Sequence, residues 1–131
     1  MLDLQLTRAA QGKPRPDPAS LVFGKLFTDH MFLMDYHDGQ GWHHPRIVPY
    51  GPLSLEPSCM VFHYAQEVFE GLKAYRTPDG HVQLFRPVEN ARRLASSCQR
   101  LCIPPIDEQD FVQAVKALVQ VDRDWVPDRP G

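Results

Sequence analysis

Proline places the strongest constraint on what this chain can fold into. Thirteen of the 131 residues are proline, about twice the usual share. Proline fixes φ and has no backbone N–H, so it ends helices and is excluded from the middle of sheets. The sequence therefore predicts short elements joined by frequent connections.

The rest of the composition is that of an ordinary globular domain. Hydrophobic residues make up 43% of the chain and charged residues 23%, which excludes a disordered chain and a coiled coil. The formal net charge is −2, so no basic excess indicates a nucleic acid partner. No apolar run approaches the roughly 18 residues that cross a bilayer, and no membrane partner is expected.

The start of the chain and the cysteines bear on its compartment. The first residues lack the charged start and continuous apolar core of a secretory signal. Cys59, Cys98 and Cys102 are three cysteines without the spacing of a disulfide framework, which fits a reducing compartment. We therefore expect a cytoplasmic protein in which Cys98 and Cys102, four residues apart on one helix, are buried free thiols.

Residues 1–20 are predicted to form an extended arm. Proline alternates with polar residues from Lys13 to Pro18, a pattern that favours an extended, solvated backbone. Such an arm could wrap a neighbour or move freely.

Apolar runs separated by turn signals predict two β-hairpins. The first hairpin joins strands at 31–36 and 46–50 through a turn at 37–41, and Pro49 marks an edge or a bulge.

The second hairpin joins strands at 72–76 and 81–85. Its turn at 77–80 reads Thr-Pro-Asp-Gly, in which proline sets the first corner and glycine accepts a positive φ. A further strand is expected at 21–23, and a short helix at 63–71 that ends at its final glycine.

Two amphipathic helices follow the hairpins. The first starts at Pro87, whose missing N–H costs nothing in a first turn, and the prolines at 104–105 close it. The second has Asp107 as its N-cap and ends at Pro127. Each helix has an apolar face at helical spacing, formed by Val88, Ala91, Leu94, Ala95, Cys98 and Leu101 in the first and by Phe111, Ala114, Val115, Leu118, Val119 and Trp125 in the second. Strands followed by helices predict an α+β fold, with an antiparallel hairpin-built sheet packed with two main helices.

The segment around the short helix carries side chains that could do chemistry. His63, Tyr64, Glu67 and Glu70 are close enough in sequence to support acid–base work, or they form an ordinary surface turn. Lys73 could form a Schiff base if it were surrounded by apolar groups, but an exposed lysine on a strand fits the same pattern.

Two further pairs each have two interpretations. Arg92 and Arg93 lie near the start of a helix, where backbone N–H groups and an arginine can hold a phosphate or carboxylate. Two solvated arginines explain the same pattern. His43 and His44 are adjacent, so their side chains point apart on an extended chain, and no cysteine or carboxylate spacing completes a zinc site. We expect no bound metal.

The sequence HYAQEVFEGLKAYR at 63–76 closely resembles the signature of the branched-chain amino acid aminotransferases, pyridoxal-phosphate enzymes of fold type IV. Other blocks resemble that family in the same order along the chain, at 21–24, 27–31, 41–42, 45–47, 84–87, Asn90 with Arg93, and 124–127. The resemblance covers 21–131, which is expected to form the small α/β domain of such an enzyme.

The resemblance implies a reaction and a set of site residues. The family transfers the amino group of leucine, isoleucine or valine to 2-oxoglutarate through pyridoxal phosphate. Arg93 matches the arginine that binds the cofactor phosphate. Phe23, Tyr64 and Phe69 match the aromatic residues that wall the pocket for the branched side chain, while Lys73 matches a position without a Schiff-base role.

The resemblance also implies what this chain does not carry. The family's Schiff-base lysine lies in a larger C-terminal domain, beyond residue 131, and none of Lys13, Lys25, Lys73 and Lys116 matches it. We therefore assign no catalytic residue here and expect residues 1–131 alone to be inactive. The resemblance further implies a homodimer.

Two other functions remain open from the sequence. The chain could be the small domain of another fold type IV enzyme, such as a D-amino acid aminotransferase or an aminodeoxychorismate lyase. It could also be a free-standing interaction module without enzyme activity.

Overall fold

The structure, a computed structural model, describes residues 1–128, and the last three residues of the predicted 21–131 domain lie outside the described residues. It confirms the α+β class. The strands are β1 (Gln5–Leu6), β2 (His30–His37), β3 (Gly41–Pro49), β4 (Ala74–Arg76) and β5 (Val82–Leu84), and the helices are α1 (Met60–Tyr64), α2 (Pro87–Arg100) and α3 (Glu108–Val121). Short 3-10 turns occur at Pro18–Ser20 and Arg123–Trp125.

Both predicted hairpins are present. β2 and β3 pair antiparallel, as do β4 and β5. In the first hairpin, His44 and Pro45 of β3 face the single residue Met34 of β2, and His44 takes a positive φ of 54°. The bulge therefore lies at His44 and Pro45, whereas Pro49 ends the strand.

The arm supplies a strand that its composition does not predict. β1 pairs parallel with β3, so β3 is the central strand of a three-stranded sheet in the order β1-β3-β2. The start of the arm is also fixed to α3, because the backbone N–H and C=O of Leu2 both bond the side-chain amide of Gln113 at 3.0 Å.

Two predicted elements are wrong. Residues 21–23 form no strand, because the chain makes a turn in which Lys25 N–H donates to Val22 O and Gly24 has a φ of 72°. The predicted helix at 63–71 is instead α1, which lies earlier in the chain. It ends at Ala65, whose left-handed φ of 48° stops the helix six residues before the predicted glycine.

The two main helices start where the sequence predicts. Pro87 lies in the first turn of α2, and the Asp107 carboxylate accepts bonds from Gln109 N–H and Asp110 N–H at the start of α3. The second helix ends early, at Val121, so the prediction that its apolar face continues to Trp125 is wrong.

The apolar core of the described residues is small. The buried apolar side chains are Ile47, Ala91, Cys98 and Ala114, and only Ile47 is both large and fully buried. Burial raises the pKa of the Cys98 thiol. Cys102 is exposed at a positive φ after α2, so the prediction that both thiols are buried is wrong for Cys102.

Buried polar groups supply a second centre of the fold, which we call the Asp29–His30–Asp122 cluster. The Asp29 carboxylate accepts hydrogen bonds from Lys13 N–H at 2.8 Å, Arg15 Nη1 at 2.9 Å and Trp125 Nε1 at 2.9 Å. Burial by itself raises the pKa of Asp29, but these three donors outweigh it and hold the pKa well below its usual range.

His30 continues the cluster, and its contacts define its tautomer. Its Nε2 accepts from Ala9 N–H at 3.0 Å, so the ring proton lies on Nδ1, which donates to Asp122 Oδ1 at 2.6 Å. Asp122 Oδ2 also accepts from the His30 backbone N–H at 3.1 Å. The arm and the end of α3 therefore both contact the adjacent residues Asp29 and His30, at the start of β2.

The described part of the chain has no helix that is both long and apolar enough to cross a membrane. Its longest helices, α2 and α3, have 14 residues each, about 21 Å at the usual rise.

We predict that Asp29→Asn lowers the free energy of unfolding at pH 7 by about 2 kcal/mol, because three donors lose a charged acceptor. Urea denaturation measures the change. Asp38→Asn, in the exposed turn between β2 and β3, is the control and should change stability by less than about 0.5 kcal/mol. Equal effects of the two substitutions would contradict the role given to Asp29.

The contribution of Asp29 should also depend on pH with a definite sign. Its pKa is lower in the folded chain than the usual value of about 4 in the unfolded chain. The stability difference between the parent and Asp29→Asn should therefore be constant from pH 7 to about 5 and shrink below about pH 4. A difference that persists undiminished at low pH would show that Asp29 does not act as a carboxylate.

Candidate functional site

Arg93, the predicted phosphate ligand, lies on α2 and is paired with a carboxylate. Its guanidinium is 62% exposed, and it donates to Glu70 through Nη2 to Oε1 at 2.5 Å and Nε to Oε2 at 3.2 Å. This is a two-point contact, the strong form of an arginine–carboxylate pair. The hydrogen bonds to Glu70 raise the pKa of Arg93 above its usual value.

Glu70 is held on its other side by Asn90. The Asn90 side chain is buried and donates through Nδ2 to Glu70 Oε1 at 2.9 Å and to Gly71 O at 3.0 Å. The hydrogen bonds from Arg93 lower the pKa of Glu70 against the opposing effect of burial, and the bond from Asn90 lowers it further. Glu70 therefore stays ionised. Asn90 and Arg93, on one face of α2, hold the segment that follows α1.

The structure changes the sequence argument for an anion site at the start of α2. Arg93 is the seventh residue of the helix, so its backbone lies about 9 Å along the axis from the first residue. Its neighbour Arg92 turns to Glu89 at 2.9 Å and Glu108 at 3.5 Å. An anion bound at Arg93 would therefore contact the guanidinium and not the backbone amides at the start of α2.

The three aromatic residues predicted to wall a pocket are exposed. The exposed fractions are 94% for Phe23, 73% for Tyr64 and 80% for Phe69. Phe23 lies in the turn before β2, Tyr64 ends α1 and Phe69 lies in the segment that leads to β4. None of them is needed to fill the core, so all three rings are available to a ligand or another protein surface.

The other candidates occupy separate places. His63 Nε2 donates to Pro57 O at 2.6 Å, and Glu70 is taken by Arg93, so the acid–base group of the sequence analysis is not assembled. Lys73 is exposed next to β4. His43 stacks on the ring of His37 with centroids 4.9 Å apart.

Neither a cluster of metal-binding side chains nor the cavity beside α2 and α3 involves these histidines among residues 1–128. Among residues 1–128, no three side chains of the metal-binding types come together. A cavity of about 740 Å³ opens between the chain start, α2 and α3. Arg93, Phe23, Tyr64 and Phe69 do not line it. Its lining is formed by Met1, Val88, Arg92, Glu108, Gln109, Val112, Gln113 and Lys116.

Sequence reasoning missed the contact between Glu70 and Arg93. The two residues are 23 positions apart, so no local pattern joins them. The spacing of Asn90 and Arg93 is a usable signal, because residues three apart on a helix share a face. That face meets the end of the 63–71 segment.

Comparison with known proteins gives the family context. No protein-family model matches the chain. The chain is 60% identical over 119 residues to branched-chain-amino-acid transaminase 1 of Bacillus subtilis, which covers 91% of this chain and 33% of the relative. It is 53% identical over 109 residues to the branched-chain-amino-acid aminotransferase of Mycobacterium tuberculosis, covering 83% of this chain and 30% of the relative.

A mammalian relative shows the same pattern of coverage. The mitochondrial branched-chain-amino-acid aminotransferase of Mus musculus is 46% identical over 130 residues, covering 99% of this chain and 33% of the relative. The chain thus spans about one third of the length of the curated relatives it matches. The resemblance to the branched-chain amino acid aminotransferases is confirmed over nearly the whole chain.

Proposed function

We propose that these residues form the small N-terminal domain of a branched-chain amino acid transaminase. The reaction would transfer the amino group of leucine, isoleucine or valine to 2-oxoglutarate with pyridoxal phosphate as cofactor. The observation that carries this proposal is the 60% identity over 119 residues to an enzyme named for that reaction. The proposed location is the cytoplasm.

Arg93 is the group in this chain that fits the cofactor. A guanidinium has five N–H donors in a planar fork that matches phosphate oxygens. Arg93 uses Nε and Nη2 on Glu70, which leaves the Nη1 side of the fork for a phosphate oxygen. Pyridoxal phosphate, when bound, supplies the electron-accepting ring on which amino transfer depends.

Phe23, Tyr64 and Phe69 would line the substrate pocket. Aromatic rings exclude water and distinguish aliphatic side chains by shape. Their exposure in this chain supports a role in which a further surface closes over them. That surface would come from the C-terminal domain of the same enzyme or from the second subunit of a homodimer.

The chemical step would need groups outside this chain. The proposed division of labour gives this domain the pocket walls and one phosphate contact, and gives the rest of the enzyme the lysine that bonds the cofactor. Residues 1–131 alone are therefore proposed to be inactive.

The exposed aromatic residues should be dispensable for folding. We predict that Phe23→Ser and Phe69→Ser each change the free energy of unfolding of this chain by less than about 0.5 kcal/mol. Ile47→Ala, at a fully buried position, should cost about 2–5 kcal/mol. Urea denaturation of the four proteins measures this. A loss at Phe69 comparable to that at Ile47 would mean that Phe69 has a structural role.

The proposed function is tested with protein expressed from the whole reading frame that contains these residues. It should form glutamate from leucine and 2-oxoglutarate, and Phe69→Ala should lower kcat/KM for leucine about tenfold, the cost of losing apolar contact with the substrate. Phe85→Ala is the control, because Phe85 is similarly exposed at 75% but lies outside the proposed pocket. Absence of transamination, or equal effects of the two substitutions, would refute the proposal.

A further inference from the structure

Glu70 and Arg93 differ sharply in exposure, although they form one ion pair. The Glu70 side chain is 9% exposed, against 62% for Arg93. A surface ion pair between two mobile side chains contributes little to the free energy of folding. Here one partner is fixed in the protein, and the other extends from it toward solvent.

Glu70 is fixed by contacts that do not involve Arg93. Asn90 Nδ2 donates both to Glu70 Oε1 and to the backbone oxygen of the next residue, Gly71. The Glu70 carboxylate and the backbone of the next residue are thereby tied to the same buried amide on α2. One oxygen of the buried carboxylate is therefore held in place independently of Arg93.

The two-point contact then sets the orientation of the guanidinium. The Nε and Nη2 atoms of Arg93 face the two carboxylate oxygens of Glu70. The plane of the fork is therefore fixed, and its Nη1 edge faces away from Glu70. The rotational freedom that a free arginine loses when it binds an anion is already lost here.

We propose that Glu70 is a positioning residue that holds the Arg93 guanidinium in one orientation for the phosphate of pyridoxal phosphate. The inference rests on the proposed function of Arg93. Glu70 does not itself touch the phosphate, since two anions in contact would repel. Because the carboxylate cancels the charge of the arginine, the gain in affinity comes from geometry and should be specific for the phosphate group.

The test compares pyridoxal phosphate with pyridoxal, which lacks the phosphate. The protein from the whole reading frame is titrated with each compound, and binding is followed by absorbance for the parent, Glu70→Gln, Arg93→Gln and the double variant. Glu67→Gln is the control, because Glu67 is an exposed carboxylate three residues away.

Glu70→Gln should weaken binding of pyridoxal phosphate about tenfold, a typical cost of losing a group that orients a ligand-binding side chain. Its effect on pyridoxal should be less than twofold. Once Arg93 is glutamine, Glu70→Gln should have no further effect, because it acts through Arg93. Glu67→Gln should bind both compounds as the parent does.

Each failure has a separate meaning. Unchanged binding in Arg93→Gln would overturn the proposed role of Arg93 and this inference with it. If Arg93→Gln weakens binding of pyridoxal phosphate and Glu70→Gln leaves it unchanged, only the role of Glu70 is overturned. Equal losses for pyridoxal phosphate and pyridoxal in Glu70→Gln would show that Glu70 acts on the fold and not on the phosphate contact.

A measurement without ligand covers the case in which Glu70→Gln does not fold. Glu70→Asp keeps the charge, but its side chain is one carbon shorter, so the carboxylate cannot contact Asn90 and Arg93 at the same time. The NMR signal of the Arg93 Nε–H should be sharp and slow to exchange with solvent in the parent, and broadened or lost in Glu70→Asp. The same sharp signal in both proteins would contradict the proposal.

Discussion

The buried carboxylate of Asp29 joins parts of the chain that are far apart in sequence. It accepts from the arm at Lys13 and Arg15 and from Trp125, which follows 96 residues later. The adjacent His30 repeats the arrangement with Ala9 and Asp122. With few buried apolar side chains, the chain depends on these bonds, because a buried charge without donors is strongly destabilising.

This arrangement explains why the aromatic rings proposed for the pocket are exposed. The Asp29–His30–Asp122 cluster and Ile47 hold the sheet and the end of α3, so the aromatic rings of Phe23 and Phe69 are not needed inside. An exposed apolar surface of this kind is typical of an interface. In the proposed transaminase, such an interface would close over the pocket walls.

The elements that the sequence predicts correctly are those with local causes. The turn at 77–80, the first turn of α2 at Pro87 and the N-cap Asp107 each follow from the chemistry of a few neighbouring residues. The predicted helix at 63–71 is wrong because a left-handed alanine, Ala65, ends α1 before the glycine. Nothing in the side chain of alanine indicates that conformation.

The contacts that the sequence does not predict are long-range ones between polar groups. A proline-rich arm predicts an extended backbone, but only the folded chain shows that β1 lies beside β3. The same holds for Glu70 and Arg93, which reach each other from separate elements. The motif resemblance predicts a role for Arg93, and the structure adds the Glu70 carboxylate that Arg93 contacts.

Buried polar bonds make the arm part of the folded domain. Native-state hydrogen exchange can check this at the amides of Ala9, Lys13 and His30, which donate within the cluster. We predict that all three exchange only on global unfolding, with the same opening free energy as the amide of Ile47. Fast exchange at Ala9 and Lys13 beside slow exchange at Ile47 would contradict the claim.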